Sequence, residues 1–209
     1  MSDLAQLVAD LQEDKVLSEV KARLEAGEDP LAIIEEARRG MQVVGERFEQ
    51  KEYFVSDLVM SAAIFAQITE LIGPHLKKEA AGGKGKVVIG TVKGDIHDIG
   101  KNIVIAMLQC HGYEVIDLGV DVSPERFVEA VKESGARIVG MSALLSAVFP
   151  SIKETVEAFT AAGLRDKVKI MIGGAPVDEK VREYAGADAV GRDAMAAVYL
   201  ADRFTAMLA

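Results

Sequence analysis

The chain has one cysteine, no tryptophan, five prolines and few aromatic residues. A lone cysteine excludes an internal disulfide framework and suits a reducing cytoplasm, and Cys110 reads as a small buried residue on a helix. Without tryptophan, and with phenylalanine and tyrosine scarce, no platform for stacking nucleobases is visible. Positive charge is also short, because 24 lysines and arginines face 33 aspartates and glutamates, for a formal net charge of −9. Such a surface repels phosphates, so nucleic acid is not an expected partner. No unbroken apolar run has the length of a membrane span, and Met1-Ser2-Asp3-Leu4 lacks the basic-then-apolar pattern of a leader. The expectations are therefore no membrane association and a cytoplasmic location. Histidines number only three. Neither His75 nor His111 stands at metal-ligand spacing from His97, which argues against a zinc or iron site built from protein side chains alone.

What is present falls into two halves with different periodicity. From Ser2 to about Lys78 the apolar residues recur at helical spacing: Leu4, Leu7, Val8, Leu11, then Val16, Val20, Leu24. Gly27-Glu28-Asp29-Pro30 breaks that run, with an aspartate placed to cap the next helix and a proline just inside it. Ile33, Ile34, Ala37, Met41, Val44 and Phe48 stripe this second long helix, and a third helical run covers Val55–Leu76. The spacing predicts a small antiparallel helical bundle over residues 1–80. Lys77–Gly85, charged and glycine-rich, reads as a linker.

Beyond it, short β-rich runs alternate with helical ones. Strands are expected at Lys86–Val92, Glu114–Leu118, Arg137–Met141, Lys169–Ile172 and Ala187–Val190. Helices are expected at Lys101–Cys110, Pro124–Glu133, Pro150–Ala162, Asp178–Tyr184 and Ala194–Leu208. Five βα units with little polar alternation in the strands predict a parallel sheet covered on both faces over residues 86–209. Ligands of such sheets sit beyond the C-terminal strand ends, where the strand order reverses.

The strongest candidate site comes after the first strand: Gly94-Asp95-Ile96-His97-Asp98-Ile99-Gly100, with Lys101 and Asn102 opening the next helix. His97 can present one ring nitrogen outward while Asp95 holds the other and fixes the tautomer, as for a metal-bound imidazole. Gly94 and Gly100 permit turns and close approach. A metal that brings its own equatorial ligands needs just one protein nitrogen, and this loop supplies one.

Asp95-x-His97-x-x-Gly100, Ser142-Ala143-Leu144 and Gly173-Gly174 follow the first, third and fourth expected strands. In that order they resemble the signature of the cobalamin-binding Rossmann-like domain of methionine synthase, base-off mutases and the corrinoid proteins of methyltransferase systems. Upstream, Gly40-Met41 through Glu52-Tyr53-Phe54-Val55-Ser56-Asp57-Leu58 resembles the helical cap that precedes this domain, so the likeness covers nearly the whole chain. The resemblance implies a flavodoxin-like five-stranded sheet and a cobalt corrinoid with His97 as lower axial ligand. It also implies that the nucleotide tail inserts into the domain, with Ser142 bonding it and Gly119 and Gly174 leaving room. Gly94, Asp95, Ile96, Asp98, Ile99, Gly100, Leu144, Ser146, Gly173 and Gly174 are the further cofactor-binding candidates, and Asp95 joins His97 in the catalytic role. One departure stands out: the serine that continues the His–Asp relay in methionine synthase is replaced by Val148, with Ser146 or water left as substitutes.

The implied function is a methyl carrier: a substrate-specific methyltransferase loads the cobalt, a second methyltransferase unloads it, and a reductive activase is a further potential partner. The helical half is expected to cap the methyl-bearing face through Met41, Val44, Phe48, Tyr53, Phe54 and Met60, and to swing about Ala80–Gly85. The alternative is the small subunit of an adenosylcobalamin mutase, which shares the motif but normally lacks the cap. A cobalamin-dependent transcriptional regulator would need a DNA-binding module, which neither the charge nor any recognition-helix pattern supplies. A response-regulator receiver domain would carry an acidic cluster where this chain has His97.

Overall fold

The computed structural model describes residues 3–75 and 83–208, and the chain divides into two compact units, Met1–Gly82 and Gly83–Ala209. Most of the expected linker, and half of the hinge placed at Ala80–Gly85, lies outside the described residues.

The first unit is helical: α1 Asp3–Ala9, α2 Glu13–Glu25, α3 Pro30–Glu49 and α4 Val55–Ile72, the last followed by a 3-10 turn at Gly73–His75. The apolar periodicity from Leu4 to Leu24 is thus two helices. The break falls at Leu11, which adopts a left-handed φ of 55° while the Gln12 N–H closes back on the Leu7 carbonyl at 3.0 Å. Glycine usually marks such a helix end, and its absence here hides the boundary from the sequence. Asp29 caps α3 by accepting from the Leu31 N–H, with Pro30 in the first turn. The Asp57 carboxylate likewise accepts from the Phe54 N–H at 2.7 Å and fixes the start of α4.

Val16, Val20, Ile33, Ala37, Met41, Val44, Ile64 and Ile68 are fully buried in this unit. Burial withdraws Met41 and Val44 from the residues expected to face a ligand. Tyr53 is tied down as well: its hydroxyl donates to the Ala9 carbonyl at 2.7 Å and accepts from Arg47. Phe54 and Met60 are exposed, with Val55 and Val59 beside them. By length and composition, Val55–His75 is apolar enough to cross a membrane, although Asp57, Gln67 and Glu70 interrupt it and it is not an unbroken apolar run. Leu58, Ile64, Phe65, Ile68 and Ile72 of this helix are nonetheless buried within the helical unit, as in the core helix of a bundle.

The second unit alternates strand and helix: β1 Gly85–Thr91, α5 Ile99–Cys110, β2 Tyr113–Asp117, α6 Pro124–Ser134, β3 Ile138–Ser142, α7 Phe149–Ala161, β4 Lys169–Gly173, α8 Glu179–Ala185, β5 Ala189–Gly191 and α9 Ala194–Leu208. The strands form a parallel sheet in the order β2-β1-β3-β4-β5. This is the flavodoxin-like order, and its reversal lies between β1 and β3. Helices α5 and α9 pack together, while α6, α7 and α8 pack in series, so the central strands are covered on both faces. Val87, Val88, Val139, Ile170 and Ile172 supply the sheet core, which explains runs too apolar to alternate.

Candidate functional site

The His97 loop leaves β1 at the switch point. Val92 still pairs with β3, its N–H donating to the Ser142 carbonyl at 3.1 Å. The chain then turns, with Asp95 N–H donating to the Val92 carbonyl at 3.1 Å and Gly94 at φ 88°. A positive φ at the third position of a turn is where glycine costs least. Neighbouring loop residues hold the turn from the side: the Gly94 N–H donates to the Asp121 carboxylate at 2.7 Å and the Asp121 N–H to the Asp95 carbonyl at 3.0 Å.

Asp95 organises the rest of the loop. Its side chain is fully buried, and one oxygen, Oδ1, accepts from both the His97 N–H at 3.0 Å and the His97 ring Nδ1 at 2.6 Å. The other, Oδ2, accepts from the Leu144 and Leu145 amides after β3, at 2.6 and 3.2 Å. Burial pushes this carboxyl up, but the hydrogen bonds from Leu144, His97 and Leu145 outweigh it and hold the pKa at about 2. The aspartate is therefore an anion at neutral pH that joins the β1 loop to the β3 loop.

A carboxylate accepting from Nδ1 selects the tautomer with a lone pair on Nε2. The His97 side chain is 47% exposed, so that nitrogen can serve a ligand. Around it stand apolar side chains that a globular protein ordinarily hides: Ile96 at 74% and Ile99 at 78% exposed, with Leu144, Leu145 and Val120 also open. Among the described residues no cluster of histidine, cysteine or carboxylate side chains could hold a bare metal ion. One outward imidazole within an apolar rim fits a metal that arrives inside a flat organic macrocycle.

The other candidates divide. Asp98 precedes α5 and takes the Asn102 side chain at 3.3 Å. Gly100 lies in the first turn of α5, where an added Cβ would meet open space, so it leaves a bare surface near the histidine. Ser142 is half-buried at the end of β3, opposite Thr91 and Gly173, while Ser146 is exposed in the 3-10 turn Ser146–Val148. Neither serine replaces the missing relay partner, because both oxygens of Asp95 are taken by backbone amides and the ring of His97. Val148 is buried, and its side chain lies 3.3 Å from where a Cβ on Gly94 would stand. It supports the turn as packing and not as a proton donor. Gly173 and Gly174 have steric reasons of their own: a Cβ on Gly173 would sit 2.9 Å from the Gly191 carbonyl, and one on Gly174 would overlap the Ala143 carbonyl at 1.9 Å.

Two residues near the histidine escape a reading of the sequence. Thr91, fully buried at the end of β1, donates its hydroxyl to the His97 carbonyl at 2.9 Å. Asp121 clamps the Gly94 turn from an adjacent loop. Neither carries a local motif; Asp121 is signalled only by its position after Gly119 in a loop that comes after a strand.

Comparison with known proteins agrees across nearly the whole chain. Models described as B12 binding domain match residues 2–72 and 85–199. Trimethylamine corrinoid protein 1 of Methanosarcina acetivorans is 40% identical over 190 residues, 90% of this chain and 88% of that one. A cobalamin-binding protein from Desulfitobacterium hafniense superposes with a TM-score of 0.81 at 38% identity, covering 96% of each chain. The methanol:cobalamin methyltransferase complex of Methanosarcina barkeri superposes with a TM-score of 0.86 at 30% identity, covering 97% of this chain and 78% of that one.

Proposed function

This chain belongs to the B12-binding corrinoid proteins of methyltransferase systems, and we propose that His97 is the protein ligand through which it holds the cobalt of its cofactor. The relatives favour a methyl carrier that works with a methyltransferase and disfavour the mutase alternative. The single observation that carries the ligand assignment is the outward imidazole, its Nδ1 fixed by a buried anion and its ring open among exposed apolar side chains.

The corrinoid supplies the chemistry, a cobalt centre able to take a methyl group from one partner and give it to another. The protein's part is positional and electrostatic. Asp95 holds the Nδ1 proton and so keeps Nε2 a donor of electrons to metal. Ile96, Ile99, Leu144 and Leu145 exclude water from the face they cover. Gly100 keeps the first turn of α5 bare, and Ser142, at the C-terminal end of β3, would bond a polar tail entering the crevice beyond the strand ends. On the helical unit, Phe54, Val55, Val59 and Met60 form the apolar surface suited to shielding a methyl group. A relative named for trimethylamine and another for methanol share this scaffold, which supports leaving the choice of methyl donor to the partner enzyme. A second methyltransferase would take the group onward, and a reductive activase would restore a cobalt oxidised by accident.

Reconstitution of the full chain with hydroxocobalamin tests the ligand assignment. In the Co(II) state the electron paramagnetic resonance spectrum should show coupling to one protein nitrogen that changes with 15N-histidine labelling and vanishes in His97→Ala. A labelled protein whose spectrum is unaltered would refute it.

A further inference from the structure

His97 is held at its amide and its ring by Asp95, but its carbonyl is held from elsewhere. Thr91 donates its hydroxyl to that carbonyl at 2.9 Å, and donates its own N–H to the Gly119 carbonyl at 3.0 Å. The Gly119 N–H donates to Asp117 Oδ1 at 2.9 Å. That carboxylate receives the Lys101 ammonium on both oxygens, at 2.7 and 2.9 Å, and the third ammonium proton goes to Asn102 at 2.9 Å. Lys101 stands in the first turn of α5, four residues after His97, so the network closes on the loop it began from.

The Lys101 side chain is 1% exposed, whereas that of its partner Asp117 is 41% exposed. An ion pair taken partly out of water stabilises a fold weakly, because desolvation offsets most of the attraction, and an apolar side chain could fill the same space. What the pair adds is direction. It ties the end of β2 to the helix behind the histidine, and Gly119 and Thr91 pass that constraint to the histidine backbone. We propose that Thr91 and Lys101 are positioning residues for His97, acting through this closed ring to fix the backbone from which the imidazole leaves the sheet edge. The proposal deepens the reading of His97 as cobalt ligand and rests on it.

The test compares Thr91→Val, which deletes the hydroxyl but keeps the β-branch, with Thr91→Ser, which keeps the hydroxyl. Lys101→Met is a second probe that does not depend on Thr91, since the half-open Asp117 rehydrates when its partner is removed. Full-length proteins labelled with 15N-histidine and loaded with Co(II) corrinoid are titrated with unlabelled imidazole, and displacement of the 15N coupling is followed. Loss of one ring hydrogen bond should lower the imidazole concentration needed for displacement about fivefold in Thr91→Val and Lys101→Met. Thr91→Ser should behave as the wild-type chain does. In the cofactor-free proteins, amide exchange over residues 94–98 should quicken by a similar factor in Thr91→Val, with the global melting temperature nearly unchanged. Wild-type displacement in both Thr91→Val and Lys101→Met overturns the ring whatever the exchange rates show. Absence of 15N coupling in the wild-type chain overturns the His97 assignment, and the ring with it.

Discussion

At the scale of single residues, the site depends on one carboxylate doing two things. Asp95 orients His97 with one oxygen and anchors the β3 loop with the other, so its replacement should disturb both. Asp95→Asn puts an amide donor against the N–H groups of His97 or of Leu144 and Leu145, leaving part-buried donors without their acceptor. We expect a loss of about 2 kcal/mol in unfolding free energy, measured by urea denaturation of the cofactor-free chain. The depressed pKa gives a pH signature with a definite sign. A carboxyl held at about 2, against 3.8 ordinarily, contributes its full stability above pH 4 and loses it as the pH falls toward 2. The wild-type stability should decline across that window more steeply than that of Asp95→Asn, and equal slopes would remove Asp95 as the cause.

At the scale of elements, two glycines show packing overriding propensity. Gly40 lies within α3, where alanine would favour the helix by about 1 kcal/mol. A Cβ there would stand 2.6 Å from the Ala5 carbonyl and 2.7 Å from the Val8 side chain, forcing α1 away from α3. Gly40→Ala should therefore destabilise the helical unit by about 1–2 kcal/mol, visible as an earlier thermal transition. Gly174 is the stricter case, with φ of 133° and the Ala143 carbonyl in the space a Cβ needs. Gly174→Ala should cost about 3 kcal/mol or more and displace the β3 loop that Asp95 holds. Its mark would be faster amide exchange at Leu144 and Leu145. Both glycines are visible in the sequence, where Gly174 reads as room for a ligand. That a carbonyl fills the space is a consequence of the parallel pairing of β3 with β4, which sets Ala143 beside Gly173 and Gly174 and which local patterning does not encode.

At the scale of the whole molecule, the second unit builds a core of its own. Val88, Phe127, Val139, Ile152, Phe159 and Ile170 are all buried among residues of the same unit. A fragment of residues 83–209 should unfold in one cooperative step and still take up a corrinoid, as read by circular dichroism and visible absorbance. A fragment that fails to fold would show that the helical unit is needed for stability. The sequence by itself determined the two-part organisation, the five βα repeats and the His97 motif, because apolar periodicity, capping residues and short fixed spacings are local properties of a chain. It left hidden the break after α1 at Leu11, which carries no glycine to mark it, and the burial of Met41 and Val44 that removes them from any ligand face. Only the tertiary structure decided that Asp95 spans two loops, that Val148 packs against the Gly94 turn, and that Thr91, Gly119, Asp117 and Lys101 close upon His97. Most of those contacts join residues on different strands or loops, and a parallel sheet brings them together only once its strand order is set.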